Sequence, residues 1–372
     1  MAACPRSHII ATGEIGVYHC WNRCVRRAFL CGFDPVTKKD YDYRRDWIRK
    51  QQQQLAGLFA IDIAFHAEMS NHIHLILRTR PDVAAAWSDE EVVRRWLKIA
   101  QLKRGRRDEP SEPTEAKIRG ELAREGRVEK LRRRLANVSW FMGAVCENVA
   151  RRSNVEDKCT GKFWESRYSC RNLACESAIL ICGVYVDLNP IRAGEAVAPE
   201  QARYTSAYDR IEGRKLRSLA ARGEAAESIA WPPLASGDAP AQVSAPMAPD
   251  GWLCELTLAS GPDAEVRPGM PSVTPWRASD KGILSLGLED YLKLLDWTGR
   301  QMVSGKRGAI PAELAPILDR LAIDRSSWLD AIESFDKKFG HVMARAGEMA
   351  EKAARAGRRW FRGVSAAARI FR

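Results

Sequence analysis

Two β-rich runs joined across a two-residue turn constrain the fold of this chain more than any other feature. Leu58-Phe59-Ala60-Ile61-Asp62-Ile63-Ala64-Phe65-His66-Ala67-Glu68-Met69 is rich in apolar and aromatic residues, and Ser70-Asn71 is a turn signal. The pattern resumes as His72-Ile73-His74-Leu75-Ile76-Leu77-Arg78 and is stopped by Pro81. Two such strands across so short a turn make a hairpin. Side chains at i and i+2 of a strand share a face, so His72 and His74 project together while Ile73 points into the core. Two imidazoles on one face can form half of a divalent-metal site, leaving positions for water and substrate oxygens. The plainer alternative is a pair of half-exposed strand histidines.

The flanking segments alternate between strand and helix signals. Residues 14–31 read as a strand, through Tyr18-His19-Cys20-Trp21-Asn22-Arg23, followed by a loop. Trp47, Ile48 and Leu55 recur at helical spacing over 40–57, and Gly57 ends that helix. Residues 88–136 are helical and densely charged, and 138–152 form an amphipathic helix on Val138, Phe141, Met142, Val145 and Val149. A loop over 160–168 leads into a further strand. A helix over about 175–188 is ended by Asn189-Pro190, because proline restricts the residue before it. Tyr185 and Asn189 lie four apart, one turn apart on one face. Asn189 offers a neutral oxygen acceptable to a hard cation, and Tyr185 offers a hydroxyl beside it. A core or surface role is the plainer alternative for a helical tyrosine.

Beyond this region the composition changes. Residues 215–285 are rich in Ala, Pro, Gly and Ser and read as a low-complexity linker. Helical spacing returns for a basic C-terminal region over 286–372, in which Lys337 to Arg372 holds ten Lys and Arg against two Glu. The expected division is therefore 1–214, 215–285 and 286–372.

The charge balance of the 372 residues, 59 Lys and Arg against 47 Asp and Glu for a net +12, favours an encounter with polyanions. The ten cysteines include no C-x-x-C pair, which removes support for a zinc finger or ribbon and leaves reduced thiols as the expectation. No run approaches the roughly eighteen uncharged apolar residues of a membrane span, and Met1 to Arg6 lacks a secretory layout. A cytoplasmic protein without a membrane partner is expected.

Four segments, taken together, resemble the REP-associated tyrosine transposases, a branch of the HUH single-tyrosine superfamily (histidine, hydrophobic residue, histidine) with an IS200-like domain. They are Tyr18 to Arg23, Ala67-Glu68-Met69-Ser70-Asn71-His72-Ile73-His74-Leu75-Ile76-Leu77, Gly161-Lys162-Phe163-Trp164-Glu165-Ser166-Arg167-Tyr168, and Tyr185-Val186-Asp187-Leu188-Asn189-Pro190-Ile191-Arg192-Ala193-Gly194. The resemblance covers about residues 5–210. It implies an α+β, ferredoxin-like HUH core with an antiparallel sheet and packed helices. It also implies that His72, His74 and Asn189 hold Mg²⁺ or Mn²⁺ and that Tyr185 is the nucleophile. The charged helical stretch within 88–136 looks like an insertion, and the chain beyond about 215 like an extension; neither inherits a role.

The implied chemistry is metal-dependent nicking and strand transfer on single-stranded, hairpin-forming repeat DNA through a 5′-phosphotyrosine link. With a reference pKa near 10, about one tyrosine in a thousand is ionised at pH 7, a deficit of about 4 kcal/mol that a cation on the scissile phosphate can offset. With one tyrosine, a second cut must reuse it or recruit a second subunit, so monomer and homodimer both stand. Arg6, Arg23, Arg152, Lys162, Arg167, Arg171 and Arg192 are candidates for backbone contacts. Trp21 and Trp164 are candidate stacking platforms, with core packing the alternative, and His66 a candidate outer partner of the site. Tyr168, on the loop leading into a strand, is the rival nucleophile, disfavoured because only Tyr185 has an amide ligand candidate one helical turn away. The competing function is a catalytically silent or domesticated protein of the same fold that binds or regulates repeat DNA.

Overall fold

The computed structural model describes residues 5–25, 30–34, 38–103, 110–223, 248–258, 269–304 and 311–371. Most of the basic cluster Lys103 to Arg107, and residues 224–247 and 259–268 of the expected linker, lie outside the described residues. Strands β1 (Val17–Arg23), β2 (Phe33–Asp34), β3 (Lys39–Asp40), β4 (Ile61–Glu68), β5 (His72–Thr79), β6 (Ser169–Leu173) and β7 (Val342–Met343) form a five-stranded sheet, ordered β4-β5-β1-β6-β7, and a small β2–β3 ladder.

The hairpin pattern is realised as β4 and β5, paired antiparallel with Ala67 opposite His74. β1 lies between β5 and β6, antiparallel to both. The helix Tyr43–Ala56 crosses from β1 to β4, and the helix Val138–Glu156 from the β5 side to β6. Numbered in chain order, the four long strands lie across the sheet as 4-1-3-2 with two crossover helices, the β-α-β-β-α-β ferredoxin-like arrangement. The α+β architecture with a helical C-terminal region is therefore what the chain adopts. Its sheet is mixed rather than purely antiparallel, because β7 joins β6 in parallel, Asn172 opposite Val342.

The sheet separates two apolar cores because alternate residues face opposite sides. Ile73, Leu75 and Leu77 pack with Ile48, Leu55, Phe141, Met142 and Val145 of the crossover helices. On the opposite face, Phe65, Ala67 and Ile76 pack with the helix Glu176–Asp187 and with Leu294, Trp328, Phe335 and Phe339. That helix is buried from Ser177 to Asp187, consistent with its almost wholly apolar sequence. Gly183 lets it lie against β4, since a Cβ there would stand 2.7 Å from the Phe65 ring. The carboxylate of Asp187, near its C-terminal end, accepts hydrogen bonds from the Ser206 hydroxyl, the Ala207 N–H and the Tyr291 hydroxyl. One buried carboxylate thereby ties three helices together.

Candidate active site

β1 and β5 assemble the polar centre of the sheet. Their register sets Trp21 opposite His74 and Arg23 opposite His72, so His19, Trp21 and Arg23 share a face with the two histidines of β5. The His72 and His74 rings stand 4.8 Å apart at 84°. His72 Nδ1 lies 2.6 Å from Asn71 Oδ1, and His74 Nδ1 lies 2.9 Å from His19 Nε2. Both rings therefore find partners at Nδ1, which leaves Nε2 for the opposite side.

The helix Glu176–Asp187 delivers the other half. It gives way after Leu188 to a short helix, Asn189–Arg192, with Pro190 in the first turn, so Asn189 opens a new helix rather than ending the old one. Backbone continuity through Leu188 keeps Tyr185 and Asn189 on one side. The Asn189 amide nitrogen lies 3.3 Å from His74 Nε2, and the same side chain favours the charged form of His72. The Tyr185 ring stands 5.8 Å from that of His74, edge to face at 87°. His72, His74, Asn189 and Tyr185 thus meet at one place.

Among the described residues no group of three or more His, Cys, Asp or Glu side chains is arranged to cage a metal. The candidate donors here are two imidazoles and one amide, a set open on its remaining sides. Burial, followed by the positive charge of Arg23, lowers His72 to about 4. Burial and its imidazole neighbours hold His74 well below the ordinary value. Both rings are neutral at pH 7, the state in which nitrogen can ligate. These three side chains would hold a divalent cation that accepts both imidazole and oxygen donors, with the Asn189 amide turned so that its oxygen rather than its nitrogen faces the imidazoles.

Three features have no counterpart in the sequence-based expectations. His19 is fully buried, stacked between Trp21 and His74. Phe335 stacks on the Tyr185 ring at 4.4 Å and 24°, and the Tyr185 hydroxyl donates to the Asp336 carboxylate at 2.6 Å. Tyr185 is 4% exposed as a result. Burial, and then Asp336, push its phenol above the ordinary tyrosine value. Alternation along β1 is a signal that places His19 with Trp21. Nothing local marks Phe335 or Asp336, which arrive from the C-terminal region.

The basic candidates divide by position. Arg23 is exposed beside His72, and the Arg192 guanidinium lies 4.8 Å from the Tyr185 ring centre while donating to the Glu333 carbonyl. Arg171 is 3% exposed and donates to the carbonyls of Gly340 at 2.6 Å and Phe339 at 3.0 Å, so it braces the C-terminal segment over the site. Lys162 and Arg167 are exposed on the loop that bonds to the end of β1, through Glu165 N–H to the Arg23 carbonyl. Arg6 stacks on Tyr168, and Arg152 on Trp47.

Of the aromatic candidates, Trp21 lies beneath the Arg171 guanidinium, and Trp164 donates its indole N–H to the Cys146 carbonyl. Tyr168 belongs to the opposite core, its hydroxyl bonded to Ser139. His66 also faces away from the site. It bridges Glu68 and Asp209, and although burial opposes protonation, these two carboxylates raise it to about 9.

Among the described residues no helix is long and apolar enough to cross a membrane. No family model matches the chain, and no curated protein matches its sequence. Among solved structures the chain is similar to a REP-associated tyrosine transposase bound to a REP hairpin, at a TM-score of 0.31 and 11% identity, over 64% of this chain and 93% of that one.

Proposed function

We propose that this protein is a metal-dependent endonuclease and strand transferase of the HUH tyrosine transposase kind, acting on single-stranded, hairpin-forming repeat DNA. The observation that carries the proposal is the meeting of Tyr185 and Asn189, from the helical layer, with His72 and His74 of one strand. Mg²⁺ or Mn²⁺ held by His72, His74 and Asn189 would supply polarisation of the scissile phosphate. Tyr185 Oη forms the new bond to phosphorus, the bond from phosphorus to the 3′ oxygen breaks, and the phenolic hydrogen ends on that oxygen. The products are a 5′-phosphotyrosine link and a free 3′-OH, and the retained ester energy allows rejoining. Arg23 and Arg192 flank this point with positive charge, and Lys162 and Arg167 extend it along the loop.

A second function, binding of repeat DNA without cleavage, is favoured by one observation: Phe335 and Asp336 cover the tyrosine. The two readings separate in one assay. The full chain is incubated with a labelled hairpin strand and Mn²⁺, and SDS-stable adducts are mapped by mass spectrometry. An adduct on Tyr185 is expected; binding with no adduct on any residue would establish the silent reading instead.

A further inference from the structure

Cleavage as proposed gives no part to His19, although His19 is the most enclosed imidazole of the cluster. Its ring is fully buried, lies 5.1 Å from that of His74 at 17°, and has Tyr185 and Phe335 against its edges at 6.2 and 5.9 Å. No substrate atom can touch it there. Any action it has passes through its neighbour.

The neighbour is His74, whose Nδ1 lies 2.9 Å from His19 Nε2. A 2.9 Å contact between two ring nitrogens holds one hydrogen, so the pair has two arrangements. Either His74 donates from Nδ1 and His19 accepts, or the reverse. In the first, His74 Nε2 is a bare lone pair directed at Asn189. In the second, His74 Nε2 carries hydrogen and cannot bind a cation. His72 offers an internal comparison, because Asn71 Oδ1 at 2.6 Å is an acceptor and therefore holds the hydrogen on His72 Nδ1. His19 also has a buried Nδ1 with no hydrogen-bond partner. When His19 Nε2 accepts, this nitrogen carries the ring's own hydrogen.

We infer that His19 is a positioning residue: it accepts the Nδ1 hydrogen of His74, fixing the ring plane and tautomer in which His74 Nε2 faces Asn189 as an open ligand. Outer partners of this kind set ligand orientation at metal sites. The inference rests on the proposed metal site, but its tautomer component can be measured without metal.

The test uses the full chain with ¹⁵N-labelled histidine, in the wild-type form and as His19→Phe and His19→Gln. Long-range ¹H–¹⁵N spectra near neutral pH report the His74 tautomer, and paramagnetic resonance of free Mn²⁺ reports affinity. The wild type is expected to show hydrogen on His74 Nδ1. His19→Phe keeps the stacking surface without an acceptor and should weaken Mn²⁺ binding about 10- to 100-fold. His19→Gln restores an acceptor oxygen and should recover most of the loss together with the tautomer. Hydrogen on His74 Nε2 in the wild type, or unchanged Mn²⁺ affinity in a folded His19→Phe protein, overturns the inference. Should His19→Phe not fold, loss of the Nδ1 tautomer in His19→Gln overturns it as well. A wild type with the Nδ1 tautomer but no Mn²⁺ binding would remove the metal reading and leave the positioning role standing.

Discussion

The hydroxyl of Tyr185 donates a 2.6 Å hydrogen bond to the carboxylate of Asp336, 151 residues further along the chain. The carboxylate opposes ionisation of the phenol and occupies the hydroxyl's free side, while Phe335 covers the ring. Under the proposed function, a DNA phosphate would reach Oη only where this pair withdraws. Asp336→Asn keeps an acceptor but removes the charge, and should speed adduct formation on the order of tenfold, which corresponds to about 1.4 kcal/mol of barrier. Phe335→Ala should do so too, with a loss of stability. Single-turnover rates with a hairpin strand measure both; equal or slower rates would mean that the pair assists the reaction.

Tyr185→Phe removes the oxygen proposed to attack and one part-buried hydrogen bond. Covalent adduct should fall below detection, whereas stability should change by only about 1 kcal/mol and hairpin affinity hardly at all. Persistent adduct in this variant would move the nucleophile elsewhere. Tyr168, buried on the opposite face against Ser139, would then be examined first.

Asn189 supplies the third candidate donor. Asn189→Ala should weaken Mn²⁺ binding roughly 10- to 100-fold, a loss comparable to that of other metal-site partners, and adduct formation with it. Asn189→Asp, which puts a hard anionic oxygen in the same place, should bind Mn²⁺ at least as well as the wild type. Removal of divalent ions by a chelator should abolish the adduct reversibly. Adduct formation at full rate in chelator would exclude the metal role.

Arg171 and the exposed cations should respond differently to salt. Arg171 spends its donors on the Phe339 and Gly340 carbonyls, so Arg171→Met should cost about 2–4 kcal/mol in stability and leave the salt slope of DNA binding unchanged. Lys162→Ala and Arg167→Ala should leave stability intact and each reduce the slope by about 0.7 to 1. Fluorescence anisotropy across a salt series distinguishes them.

The buried His66 gives stability a pH dependence. Glu68 and Asp209 raise its pKa from 6.5 to about 9 in the folded chain. A group raised on folding stabilises fully below its unfolded value, and that stabilisation is lost as pH rises through the folded one. Stability should therefore fall between about pH 6.5 and 9, by on the order of 3 kcal/mol at about 1.4 kcal/mol per unit. Urea midpoints across this window check it, and His66→Gln should flatten the curve.

Local order accounts for what was legible in the residues. The two-residue period of a strand places His72 with His74, and the helical turn places Tyr185 with Asn189, because these relations depend only on backbone geometry within a few positions. The hairpin, the crossover helices and hence the α+β order follow from the same kind of signal. Pairing across β1 and β5 joined His19 to His74, and packing of the C-terminal region brought Phe335 and Asp336 onto Tyr185 and added β7 to the sheet. Those contacts come from burying apolar faces far apart in the chain, and no local periodicity encodes which distant face will cover which. Sequence thus specified both halves of the candidate site, whereas tertiary packing decided that they meet, what lies against His74 from behind, and what lies over the tyrosine.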